Sequence, residues 1–250
     1  MFGFAHIGVI EALEANGIQP NLISGSSAGA IIGLLYASGG SLLLDKFVQE
    51  LESSGLLSGR RWFQAPTPNR YFAKVGSFLD SLVTQKDLKT LNLPFYPVAT
   101  DLATGDAHVF DDGDPITAVL ASATYPVALS AYRRDNNSYL DGGLTRYLPA
   151  DTLLEKGADI VIGSSIQVIH DLNGEKVKKL GKVKLAIRSI EIMQEQLSES
   201  HLEHCDYIIR PKFNPNDSLK VGLLNAIIDV GHTTAQEEIA KLKKSDWLFS

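Results

Sequence analysis

Residues 22–33 read LISGSSAGAIIG: a short apolar run, then Gly25-Ser26-Ser27-Ala28-Gly29, then more apolar residues. The pattern places a serine between two glycines where a strand turns into a helix. Two readings compete at this turn. Small residues at a strand–helix junction serve close packing, and a G-x-S-x-G match alone is weak evidence. The same arrangement is also what a nucleophile elbow requires: a serine on a sharp turn, its hydroxyl presented at a helix N-terminus. Such a turn forces the middle residue into a strained conformation, and glycines at 25 and 29 would remove the Cβ atoms that clash. The amide of Ala28 and the helix dipole would then face any negative charge that develops beside Ser27.

Composition sets the frame for this turn. Of 250 residues, 44% are hydrophobic and 21% charged, the proportions of a globular domain with a sizeable core. A net charge of −6 offers no electrostatic footprint for nucleic acid. The longest apolar stretches are broken by Gly and Ser short of the roughly 20 residues a membrane span needs. The opening residues, MFGFAHIGVIEALE, lack a basic segment and do not read as a signal peptide. The single cysteine, Cys205, excludes an internal disulfide and suits a reducing compartment. A soluble, cytoplasmic protein is expected.

Around the turn, strand and helix patterns alternate. Residues 5–16 carry apolar residues at helical spacing and end at Gly17. The helix after Ser27 runs to Gly39-Gly40, and residues 42–53 form another amphipathic helix. From 55 to 81 the periodicity degrades among aromatics, arginines and prolines. That stretch reads either as a lid, with Trp62, Phe63, Tyr71 and Phe72 as its apolar face, or as a loop-rich connection over a core edge. FYPVATD (95–101) is a buried strand, and AHVFDDGD supplies its hairpin partner. PITAVLASATYP is a helix opened by Pro115. SYLDGG (138–143) is a strand entering a tight turn, DIVIGSSI (159–166) a strongly apolar strand, and CDYIIRP a strand between helices at 184–202 and 222–243. Alternation of this kind predicts one α/β domain over residues 1–250, with a mostly parallel sheet covered on both faces.

A nucleophilic serine needs a base. His108, His170, His201, His204 and His232 all follow Ser27. His232 lies inside a helical run, whereas a triad histidine usually sits on a loop past a strand. His201 and His204, with Cys205 and Asp206, have only a loosely metal-like spacing. Asp141 stands out among the carboxylates. It follows a strand, and Gly142 and Gly143 let backbone approach a neighbour closely, although Asp-Gly is also a common turn in its own right.

Taken in order, GFAHIGVIEALEANGI, SGSSAGAIIGLLYASG, ATDLATGDAHVF, ASATYPVALSAY, YLDGGLTRYLPADTLLEKGADIVIGSSI and CDYIIRP resemble a patatin-like phospholipase domain. The chain looks closest to the bacterial branch similar to the catalytic domain of neuropathy target esterase. The resemblance implies a three-layer α/β/α fold and a Ser–Asp dyad, with Ser27 as nucleophile and Asp141 as base, and no metal or organic cofactor. It also implies acyl-lipid ester substrates, met through transient contact with membrane surfaces. Family members carry a strand and a glycine-rich loop before the GFAHIG-like segment. Gly3 matches the last glycine of that loop, and Phe2 falls where a basic residue is expected. Gly3 and Ala28 are therefore the implied oxyanion donors, and a gap in the sheet beside the elbow strand is expected. Arg146 and Tyr147 replace smaller residues after the DGG turn, an expected change at the pocket rim. An acyl hydrolase and a catalytically impaired lipid-binding domain both remain open at this point.

Overall fold

A computed structural model describes residues 2–53, 68–134, 136–169, 180–214 and 223–243. A short 3-10 turn, Phe2–Phe4, leads into α1 (Ala5–Ala15), and β1 (Ile23–Ser26) follows. Helix α2 (Ala28–Ser53) starts directly after Ser27 and bends where Gly40 adopts φ 65°, the break expected near Gly39-Gly40. By length and composition α2 is apolar enough to cross a membrane. Its apolar side chains are spent on the core instead: Ala30, Ile32, Leu34, Leu35, Leu44, Phe47 and Leu51 are all buried. Glu14 of α1 accepts hydrogen bonds from Tyr36 Oη, at 2.6 Å, and from Ser41 Oγ, which pins the two helices together.

Residues 68–82 correct the sequence expectation. They form a helix, α3 (Pro68–Leu82), and Val75, Leu79 and Leu82 enter the main core. Phe72 and Phe78 also pack there, Phe72 edge-on to Tyr132. The pattern 72, 75, 78–79, 82 is helical, but the prolines and arginines before it hid the period. The other half of the expected lid, with Trp62 and Phe63, lies outside the described residues.

The main sheet runs β1–β2–β5–β4, with β3 also on β2, where β2 is Phe95–Asp101, β3 Ala107–Val109, β4 Tyr132–Arg134 and β5 Asn137–Asp141. Only β1–β2 is parallel in this sheet; β2–β3, β2–β5 and β4–β5 are antiparallel. Two further pairs, β6 (Ile162–Ser164) with β8 (Tyr207–Ile209) and β7 (Gln167–Val168) with β9 (Lys212–Phe213), are parallel. The expected mostly parallel sheet is thus a mixed one. The short connections from β2 to β3 and from β4 to β5 return the chain antiparallel, the β4–β5 hairpin joins β2 after α4 has intervened, and helical crossovers carry the parallel pairs.

Helices α4 (Pro115–Ser122), α5 (Ala150–Glu155), α6 (Lys182–Leu202) and α7 (Leu223–Lys243) complete the described fold. Asp114 caps α4 by accepting from Thr117 N–H at 2.8 Å. Helices α1 and α7 touch backbone to backbone. A Cβ on Gly8 would lie 2.0 Å from the Ile228 carbonyl oxygen, and one on Gly231 would lie 2.0 Å from that of Ala5. Between β1 and β6, whose facing edges pair with no described strand, lies a cavity of about 600 Å³.

Candidate active site

Register places the site. Ser26, the last residue of β1, is opposite Val98 of β2, and Asp141, the last residue of β5, is opposite Ala99. Strands on the two sides of β2 therefore end at the same level, and residues far apart in sequence meet across it. The Val98 carbonyl accepts from Ser122 Oγ at 2.5 Å, and the same Oγ accepts from Ser27 N–H at 3.0 Å. A Cβ on Gly142 would fall 2.0 Å from that carbonyl oxygen, so only glycine fits after Asp141. The DGG turn is required here by proximity to β2 as well as by its own geometry.

Ser27 has φ 55° and is half-buried. A left-handed backbone at a non-glycine residue is uncommon and clusters at functional turns. Gly25 behaves as expected: a Cβ there would lie 2.6 Å from the Gly29 carbonyl oxygen. Gly29 does not. A Cβ there would meet only His6 Nε2, at 3.9 Å, an ordinary van der Waals contact, so no clash with another segment requires glycine at 29. His6 was not among the candidate bases because it precedes Ser27. Its Nδ1 shares a 2.7 Å hydrogen bond with Ser164 Oγ, and burial holds its pKa well below the ordinary histidine range. It lines the cavity together with Gly25, Ser26 and Gly29, and neither Ser27 nor Asp141 opens onto that space.

Asp141 is 1% exposed. Its N–H donates to the Thr124 carbonyl at 2.9 Å, its carbonyl accepts from Thr100 Oγ1 at 2.9 Å, and Oδ1 accepts from Gly143 N–H at 2.8 Å. Among the described residues, Oδ2 is buried without a hydrogen-bond partner. Burial pushes the carboxyl pKa up to about 6, while the Ser27 side chain and the Gly143 amide act in the opposite direction. Ser27 is thus close enough to favour the carboxylate without closing a hydrogen bond of ordinary length to Oδ2. Loose contacts of this kind are common before substrate binds. An unsatisfied buried carboxylate oxygen is costly and calls for a role.

Gly3 and Ala28 are in contact: a Cβ on Gly3 would lie 2.3 Å from that of Ala28. Ala28 is the first residue of α2, where backbone N–H groups have no partner within the helix. Arg146 turns away from the site and onto α5, where Nε lies 3.1 Å from Asp151 and Nη1 donates to Thr152 Oγ1 at 2.7 Å. Its carbonyl accepts from Ser26 Oγ at 2.7 Å, which ties the DGG turn to the elbow. Tyr147 is bonded through Oη to the Ile166 carbonyl at 3.2 Å and faces the Asp141 charge. Helix α6 reaches the same turn: Gln194 is buried, with Nε2 2.8 Å from where a Cβ on Gly143 would be. His232 instead lies on α7, facing Glu11 of α1. None of these neighbours was legible by spacing.

The sequence profile of the patatin-like phospholipase family matches residues 1–154. An NTE family protein of Mycobacterium tuberculosis is 30% identical over 167 residues, which make up 66% of this chain and 46% of that protein. Patatin-like phospholipase domain-containing protein 6 of Homo sapiens is 25% identical over a 273-residue alignment, covering 92% of this chain and 19% of that protein. The chain thus spans less than half the length of these curated relatives. Among solved structures, VipD from Legionella pneumophila shares the fold at a TM-score of 0.55 and 15% identity, over 96% of this chain and 65% of that one.

Proposed function

Because the chain belongs to the patatin-like phospholipase family, we propose that it is a serine acyl hydrolase cleaving carboxylic esters of phospholipids, lysophospholipids or related acyl lipids. Ser27 is the nucleophile and Asp141 the base. The observation that carries this reading is the meeting of a strained, accessible serine with a buried carboxylate whose Oδ2 has no partner. As Ser27 Oγ attacks the acyl carbon, its proton passes to Oδ2, and Oδ1 stays held by Gly143 N–H. The carbonyl oxygen becomes an oxyanion, stabilised by amides at Ala28 and Gly3. Collapse of the tetrahedral intermediate breaks the ester bond. The proton on Asp141 goes to the departing alcohol, leaving an acyl-enzyme on Ser27. Water then attacks that acyl carbon and gives a proton to Asp141. When the bond to Ser27 breaks, this proton returns to Oγ and the fatty acid is released.

The test is covalent labelling with a fluorophosphonate probe, alongside turnover of a short-chain nitrophenyl ester. Ser27→Ala is expected to lose both. Labelling that persists unchanged in Ser27→Ala removes the assignment, and lipid binding without any turnover by the parent chain favours an impaired lipid-binding domain instead.

A further inference from the structure

The two glycines after Asp141 are needed for different reasons. Gly142 clears the backbone of β2, whereas the three nearest atoms to a Cβ on Gly143 would all be in side chains. They are Gln194 Nε2 at 2.8 Å, Asp141 Oδ1 at 3.0 Å and Tyr147 Cδ2 at 3.4 Å. Gly143 has no positive φ, so its backbone conformation does not call for glycine. Its bare side leaves one space that a donor and the carboxylate both border. Both distances end on one point, so Gln194 Nε2 and Asp141 Oδ1 are at most 5.8 Å apart. Gln194 comes from α6 and is 8% exposed, and its carboxamide forms no hydrogen bond among the described residues. A buried amide with unused donors is uncommon and calls for an explanation.

A carboxylate oxygen has room for a second hydrogen bond, and Oδ1 has one, from Gly143 N–H at 2.8 Å. We propose that Gln194 is a positioning residue: when Asp141 ionises, Gln194 Nε2–H donates a second bond to Oδ1 and leaves Oδ2 for the Ser27 proton. The proposal rests on the Ser27–Asp141 reading. The glutamine amide sits on a chain of rotatable bonds, so a change of rotamer shortens the gap without moving α6. Hydrogen bonds at a catalytic group are often long before substrate binds and tighten afterwards. The other titratable groups around the turn are accounted for. Tyr125, which follows α4, and Tyr147 both feel the Asp141 charge, and Arg210 faces Tyr147. On α6, Glu191 and Glu195 each pair with Arg188, at 3.4 and 3.1 Å. Among the described residues none of these groups bonds Oδ1.

The experiment follows the rate of fluorophosphonate labelling of Ser27 from about pH 5 to about pH 8.5. It compares the parent with Gln194→Met, which keeps the length of the side chain but has no N–H to give. A donor to the carboxylate favours its charged form, so losing that donor raises the pH at which the base ionises. The climb in labelling rate, centred near pH 6 in the parent, should move up by about one pH unit, the scale of one hydrogen bond to a charged group. Labelling at pH 6 should then be about fivefold slower than in the parent, and nearly equal at about pH 8.5. A merely structural role would slow labelling by the same factor at every pH. Gln194→Glu places a second carboxylate beside Asp141 and should move the climb at least as far, so it gives the reading if Gln194→Met does not fold. A climb that stays at the parent's pH in either folded variant overturns the proposal. Failure of the underlying dyad shows up separately, as turnover surviving in Ser27→Ala or as a parent rate that does not climb at all.

Discussion

Burial of the Asp141 carboxyl, the proposed base, works against folding. Its carboxyl is buried, and the charged form is disfavoured enough to move the pKa from near 4 in an unfolded chain up to about 6. The native state therefore binds the extra proton between those values. The stability linked to this proton is fully present below about pH 4 and is lost as pH rises past 6. Asp141→Asn cannot ionise, yet it keeps an oxygen for Gly143 N–H. Its stability relative to the parent should rise between pH 4 and 7, by up to about 3 kcal/mol in denaturant titrations. In the proposed role as base Asp141 must be ionised to accept the Ser27 proton, so kcat/KM of the parent should climb through pH 6 and level off above it. A rate independent of pH between 5 and 8 would exclude Asp141 as the base.

At the scale of elements, the contact between α1 and α7 governs how Phe2–Phe4 is carried to the elbow. Gly8 and Gly231 face one another's helix backbones at distances no Cβ tolerates. Gly8→Ala must push the helices apart. Since the 3-10 turn holding Gly3 leads straight into α1, that shift displaces Gly3 from Ala28. Overpacking of this kind typically costs about 1–3 kcal/mol. The expected result is a lower midpoint of thermal unfolding together with slower fluorophosphonate labelling of Ser27. Lower stability with unchanged labelling would show that α1 does not position the site. The helical spacing of α1 was legible in its apolar residues, because periodicity follows from which face is buried. The partner of its glycine face was not, because a glycine needed for close approach looks the same in sequence as any other.

At the scale of the molecule, the strands of the described residues divide into unequal parts. The main sheet has five strands, and Val98, Ala99 and Tyr139 are buried in it. The pairs β6–β8 and β7–β9 have two strands each, and β6 faces β1 across the cavity. Two-stranded ribbons have little stability of their own. The hydrogen bond between His6 Nδ1 and Ser164 Oγ ties β6 to α1. Hydrogen exchange should therefore release amides at Ile162–Ser164 and Tyr207–Ile209 before those of β2 and β5, through a partial opening. Ser164→Ala should widen that difference. Equal protection across both regions would mean that the molecule opens only as one unit.

The amino-acid sequence by itself determined the elbow and the DGG turn. Both are local: a strand feeding a helix through Gly25-Ser26-Ser27-Ala28-Gly29, and a strand feeding Asp141-Gly142-Gly143, are written in adjacent residues whose backbone demands few other side chains meet. Tertiary structure alone decided what surrounds them. That Gly142 must clear the Val98 carbonyl, that Arg146 bonds α5, and that Tyr125 and Asp141 each bury an oxygen without a partner among the described residues all depend on contacts between distant segments. Pairing direction was decided there as well. An apolar strand reads the same whether its neighbour runs parallel or antiparallel, and only the length and path of the connections fixed β2 between β1 and β5.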